Sequence, residues 1–352
     1  MTGGPGTGWR PLGRVAVLGA HIVDVLGRPV QEIPPGQGSA RLTEIRATAA
    51  GTAAGTGVDL AKLGADVLAI GALGDDLLAD VLAGAMRAHG VDTCGLVRKH
   101  GAQTSATILP IRPNGERPAL HVPGATALLD RSDVDLARLG GLDALLIGAP
   151  DALGGIVADG LAEVIAAARA GGALVAVDVL RPGSPRDFER IRDVVAAADW
   201  FWPNADQAGA LTGHGEPVHA MKEIFALGTA GVAVTLGADG ALVARRGEDP
   251  VHVPAIAVGV VDTTGCGDGF NAGMMAGLLL GAGHVDAAWL GVACGALVAT
   301  GLGSDAGITG LGQVLGFLAA AAPEVAGRIE ALARPLTEPA GPDHEPKRSQ
   351  HG

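Results

Sequence analysis

The sequence predicts an α/β protein in which a mainly parallel sheet lies between two helical layers, with a small β-rich lid. Three observations predict it. From about residue 126, short apolar runs (ALLIGAP, ALVAVDVL, WFWPN and VAVTLG) alternate with helical or polar segments, the rhythm of a parallel sheet covered on both faces. Two polar, alternating stretches, near 25–48 and 94–122, interrupt that rhythm and can pair over the carboxyl edge of the sheet. The chain has 352 residues, 48% of them hydrophobic, which is enough for one large core.

The elements follow in order. Residues 1–12 read as a flexible lead-in without the apolar run of a signal peptide. RVAVLG (14–19) is a short buried strand. The alternating RLTEIRAT that closes 25–48 is an exposed strand or hairpin. Residues 49–63 are small and apolar and read as a helix stopped by Gly64. ADVLAIGALG gives a second buried strand, and 75–89 a helix. In 94–122 two alternating runs are joined by Pro113-Asn114-Gly115-Glu116, a hairpin signal. The Pro-rich, polar stretch 334–352 reads as a disordered tail, so the folded domain is expected over 13–333.

Composition narrows the function. A net charge of −12 argues against a nucleic-acid or anionic-membrane surface. None of the four lysines follows a glycine, so the phosphate loop G-x-x-x-x-G-K-[ST] is absent. Three widely spaced cysteines without a C-x-x-C pair indicate neither a disulfide framework nor a cysteine zinc site, and the expected setting is a reducing cytoplasm. The uncharged stretches 269–283 and 287–304 are short or Ala/Gly-rich, and buried helices are expected there.

VGVVDTTGCGDGFNAGMMAGLLL (258–280) carries the chemistry. A strand ending at Val261 or Asp262, a glycine-rich loop and a helix starting near Gly267 or Asp268 are expected. Unpaired N–H groups at Gly265, Cys266 and Gly267 then face outward at the positive end of that helix, where anions bind. Asp268, in the first turn, is placed to accept a proton from a substrate hydroxyl.

DTTGCGDGFNAGMMAGLL closely resembles the C-terminal signature of the ribokinase-like (PfkB) sugar kinases, DTTGAGDxFxxG. VAVLGAHIVD, AAGTAAGTGVDLAKLGADV, GALGDDLLADVL, HVPGA, WPNADQAGALTG and VAVTLGADGALV resemble further family segments in the right order, so the resemblance covers about 14–320. It implies a ribokinase-like three-layer fold and an ATP-dependent carbohydrate kinase. Asp268 is then the catalytic base and 265–267 the anion hole for the transferring phosphoryl group. Asp24, Gly51 and Gly55 fall at sugar-binding positions, Asn204, Thr235, Gly237 and Gly240 at the ATP site, and Asp262 at a monovalent-cation position. The resemblance also implies Mg²⁺ arriving with ATP, activation by K⁺, and a homodimer formed through the lid.

The pattern departs in places. Gly55 stands where an asparagine normally contacts the sugar, and Gln207 where a glutamate is usual, with Asp206 beside it. Cys266 replaces an alanine, and Leu180 replaces the asparagine between Asp178 and Arg181. His21 and His121 read as structural or surface residues, and Trp200 and Trp202 as core. Two other functions stay open: a nucleoside kinase, against which the lid segments' lack of aromatics speaks, and a non-catalytic sugar-binding protein on the same scaffold.

Overall fold

The computed structural model describes residues 8–335. In chain order, the first half runs β1 (Arg14–Gly19), β2 (Ile22–Arg28), β3 (Glu44–Ala50), α1 (Thr52–Leu63), β4 (Asp66–Gly74), α2 (Leu77–Ala88), β5 (Asp92–Lys99), β6 (Ala106–Pro110) and β7 (Leu120–Val122). Next come β8 (Ala144–Gly148), α3 (Ile156–Asp159), α4 (Leu161–Ala170), β9 (Leu174–Asp178), α5 (Pro185–Ala196), β10 (Trp200–Phe201), α6 (Ala205–Thr212) and α7 (Pro217–Leu227). The last third holds β11 (Gly231–Thr235), β12 (Ala241–Arg245), β13 (Val251–Val253), α8 (Cys266–Leu279), α9 (His284–Val298), α10 (Leu311–Ala321) and α11 (Pro323–Ala333).

Nine strands form the main sheet in the order β13-β12-β11-β10-β9-β8-β1-β4-β5, parallel from β11 to β5 and antiparallel at β12 and β13. Alternate side chains of β1 enter opposite cores. Val15 and Val17 meet α1, α2 and α8–α11, whereas Ala16 and Leu18 meet α3–α7. This is the consequence of a period of two in strands buried on both faces. Trp200, Phe201 and Trp202 are core residues, as expected.

The second sheet, β3-β2-β6-β7, stands apart over the carboxyl edge. β2 leaves directly after β1, and β3 returns straight into α1, so the lid is rooted beside the first helix. The expected excursion at 94–122 is corrected: β5 pairs parallel with β4 as the far edge of the main sheet, and only β6 and β7 belong to the lid. Five residues of β5 in register with β4 outweigh the polar alternation that disguised it. The turn at 113–116 is where the alternation put it, closed by Arg112 and Glu116.

Two further expectations change. No strand leads directly into the 262–265 loop; among the described residues the last strand is β13, after which Pro254 has no N–H to continue a ladder. The lead-in is tied down from Trp9 to Leu12: the Arg10 N–H donates to the Ala333 carbonyl at 2.7 Å, and Leu12 is buried. Residues 1–7, and 336–352 of the expected tail, lie outside the described residues. Among the described residues no helix is long and apolar enough to cross a membrane; α8 and α9 pack on each other instead.

Candidate active site

α8 begins where the glycine-rich loop ends. Gly265 caps it at φ 81°, a left-handed conformation that suits glycine. Among the described residues, no acceptor takes the N–H of Gly265 or Gly267, whereas that of Cys266 is turned toward the Thr263 carbonyl at 3.4 Å. The N-terminal end of the helix therefore presents two free donors and one weakly engaged donor. A side chain on Gly267 would meet open space, so a ligand can approach its backbone.

Asp268 occupies the first turn of α8. Its carboxyl is raised well above the ordinary carboxylate range, first by burial and then by the charges of Asp178, Asp59 and Asp24. Arg117, arriving from the lid hairpin, opposes that shift. The other acids shift the same way, chiefly through burial. Burial pushes Asp24 up to about 6, and Asp59 and Asp178 up to about 7 each. Asp178 is held by Asn271 Nδ2 at 2.7 Å, one turn beyond Asp268 on α8. Asp59 takes a hydrogen bond from Lys62 Nζ at 3.2 Å.

Two cavities flank this group. One, of about 700 Å³, lies under the lid and is lined by Asp24, Gly51, Thr107, Arg117, His121 and Arg181 among others. The other, of about 470 Å³, is bounded by Thr235, Gly237 and Gly240 on one side and by Cys266, Gly267 and Phe270 on the other. Asp268 stands between them. It presses on Gly55 of α1 and feels Asp24 of the first cavity, while its neighbours Cys266 and Gly267 line the second.

The sequence-derived candidates divide accordingly. Asp24 and Gly51 line the lid cavity, and Thr235, Gly237, Gly240, Cys266 and Gly267 line the second; Gly55 and Asp268 touch each other, and they and Gly265 line neither. Asn204 does not line either cavity. Its side chain accepts the Gln207 N–H at 2.8 Å and caps α6. Gln207 completes that capping box and also donates Nε2 to the Val179 carbonyl at 2.9 Å, so both ends of its amide are engaged within the fold. Asp262 is buried and anchors a loop junction, accepting N–H groups of Thr264 at 3.1 Å and Gly303 at 3.0 Å. Burial raises the Cys266 thiol to about 12, which leaves it a neutral, passive residue. His21 is buried and lowered to about 4, a structural residue bonded to the Gly19 carbonyl.

Arg117, Asp59 and Asn271 were missed. Arg117 sits in a polar hairpin with no motif, yet its Nε reaches Thr263 Oγ1 at 3.1 Å across 146 residues. Asn271 carried a signal: it lies three residues after Asp268, on the same helix face.

A Gly-capped helix terminus with a buried aspartate, set between two cavities on the carboxyl edge of a doubly covered sheet, offers the geometry a group-transfer site for two small molecules needs. Comparison gives the family. The pfkB family carbohydrate kinase profile matches residues 13–309, and the chain belongs to that family of carbohydrate kinases. It is similar to a deoxyribokinase of Salmonella typhi, 26% identical over 279 residues, covering 78% of this chain and 88% of that one. It is also similar to a 2-dehydro-3-deoxygluconokinase of Bacillus subtilis, 27% identical over 283 residues, covering 77% and 86%. Among solved structures, a protein of E. coli assigned as a ribokinase II, in complex with ATP and Mg²⁺, superposes with a TM-score of 0.75. The match is 22% identical and covers 88% of this chain and 99% of that one.

Proposed function

We propose that the protein transfers the γ-phosphoryl group of ATP to a hydroxyl of a small carbohydrate bound beneath the lid. The observation that carries the reading is the position of Asp268, between a lid cavity and a cavity that opens onto the free N–H groups of α8. The second cavity suits a nucleotide, with apolar walls at Ala257 and Phe270 and an unobstructed backbone at Gly237 and Gly267. Asp268 takes the acceptor's proton, and the Gly265 and Gly267 N–H groups receive the charge that develops on the phosphoryl oxygens. Asp24 holds an acceptor hydroxyl. Mg²⁺ would enter with ATP and would supply charge neutralisation at its phosphates. Among the described residues no group of three acidic, histidine or cysteine side chains forms a metal cage.

Activation by K⁺ belongs to the same proposal, with Asp262, at the junction of the 264 and 303 backbones, as the residue that would hold the cation. The setting is the cytoplasm, where ATP is supplied. The lid favours a homodimer: Ile45, Ile108, Leu120 and Val122 are exposed on its outer face, and Ile108 pairs directly with Leu120 across β6 and β7. The lining of the lid cavity contains no Phe, Tyr or Trp on which a nucleobase could stack, which disfavours a nucleoside acceptor.

The test is conversion of ATP to ADP over a panel of sugars, sugar acids, sugar phosphates and nucleosides with Mg²⁺ and K⁺, beside Asp268→Asn. Turnover confined to a carbohydrate class and lost in the variant supports the reading. Turnover on nucleosides alone, or sugar binding with no turnover on any acceptor, overturns it.

A further inference from the structure

The chain carries a net charge of −12, yet its lid cavity gathers the guanidiniums of Arg117, Arg181 and Arg190 and the imidazole of His121. Arg117 is engaged at the catalytic loop, with its Nε 3.1 Å from Thr263 Oγ1. The other two converge elsewhere. Arg181, just past β9, donates Nη2 to the Asp151 carbonyl at 2.7 Å, and Arg190, from α5, donates Nη2 to the Leu153 carbonyl at 3.4 Å. Both are thus steadied on one short turn, 150–153, Arg190 by a carbonyl and Arg181 by the carbonyl and the carboxylate of Asp151.

Two acids stand near the pair: Asp151, and Asp187, whose carboxylate accepts from Ser184 Oγ at 2.6 Å and is held below its ordinary range first by that bond and then by Arg181 and Arg190. Asp151 is buried and spends its carboxylate on the backbone N–H groups of Leu180 at 2.9 Å and Arg181 at 3.2 Å, reaching the Arg181 Nε only at 3.4 Å. Among the described residues Arg190 makes no ion pair. The Arg181 side chain is 60% exposed, so its outer nitrogens remain available. Its charge also reaches His121 on the lid strand β7, contributing to the lowered basicity of that ring.

Given the kinase reading above, on which this inference rests, the geometry points to an acceptor carbohydrate that bears an anionic oxygen group, a phosphate or a carboxylate, bound by Arg181 and Arg190 beside His121. A guanidinium offers a planar fork of N–H donors that matches either group, and two forks steadied on the same turn hold it from two sides. A neutral sugar gives such a pair nothing to neutralise. The cavity then has two chemically distinct ends: Asp24, at the lid strand β2, takes hydroxyls, and the arginine pair takes the anion.

The test pairs each neutral sugar with its phosphate and its acid in ATP-turnover assays, and measures binding of the same compounds by calorimetry without ATP. Expected is a kcat/KM at least about tenfold higher for one anionic series than for its neutral parents, the value of a charge-assisted hydrogen bond. The series preferred distinguishes phosphate from carboxylate. Arg190→Ala and Arg181→Ala should each raise KM for that series about tenfold, with Arg190→Lys recovering part of the loss and the KM for ATP unmoved. Both positions are exposed, so folding is not at stake. Efficient turnover of neutral sugars with no gain from either anionic group overturns the inference and leaves the kinase reading intact. Binding of an anionic sugar that Arg190→Ala weakens, with no turnover of any acceptor, sustains the anion site and overturns the kinase reading instead.

Discussion

The carboxyl group of Asp268 rests on the α-carbon of Gly55: a β-carbon added there would come within 2.8 Å of Asp268 Cγ. The absence of a side chain on α1 therefore sets where the proposed base on α8 can stand. A residue that looked from sequence like a lost sugar contact is in the structure the floor on which that carboxyl rests.

Gly55→Ala should lower kcat about a hundredfold, because a displacement of around an ångström at a reacting group costs on that order. The clash falls on the movable end of a side chain, so the melting temperature should change little. Steady-state kinetics with ATP and thermal unfolding on the same preparation check this; an unchanged kcat would sever the link between the two residues.

Asp268→Asn should reduce turnover by roughly 10²–10⁴-fold and make the protein harder to melt. The folded state keeps the Asp268 proton to a higher pH than the unfolded chain does. The stability this group contributes is thus present at low pH and lost as pH rises through its folded pKa. The variant does not titrate there, so its advantage in melting temperature should be larger at pH 8 than at pH 5. Equal differences at both values would contradict the crowding of Asp268 by Asp178, Asp59 and Asp24.

The same shift predicts a rate that climbs with pH as Asp268 ionises. Arg117 pulls the Asp268 pKa down, so Arg117→Ala should move the acidic limb of the kcat/KM profile to higher pH. A limb that stays in place after this change would mean that another group controls it.

Gln207→Glu tests the capping role against magnesium chemistry. The Val179 carbonyl would lose its donor and face a carboxylate in a buried site, costing about 1–3 kcal/mol in urea unfolding. The Mg²⁺ concentration dependence of turnover should be unchanged.

Replacing Ile108 and Leu120 together with lysine should convert the proposed lid-mediated dimer to monomer in sedimentation experiments. The two side chains are 58% and 60% exposed, so the fold has no need of them. A monomeric wild-type protein would refute the dimer directly.

Much of the catalytic helix was legible in the sequence because its chemistry is local. Gly265, Cys266, Gly267 and Asp268 are consecutive, and a loop-to-helix transition exposes N–H groups wherever it occurs. The strands buried on both faces were legible for the same reason, as unbroken apolar runs such as ALLIG and LVAVD. β5 was not, since DTCGLVRK is an edge strand with few buried side chains and reads like lid. Asn204 was placed at the ATP site by resemblance and Gln207 noted as a departure from the family's glutamate; their spacing of three is also that of a capping box, which the structure forms.

By itself the sequence determined the α/β class, the order of most elements, and a helix terminus with an acid in its first turn, because these depend on periodicity and on neighbours a few residues away. The tertiary structure alone decided which acids crowd Asp268, that Gly55 supports it, and that Arg117, Arg181 and Arg190 open into one cavity. Those relationships join residues tens to hundreds of positions apart. Burial, charge and close approach there are set by how the elements pack, and no local pattern in the chain encodes the distances.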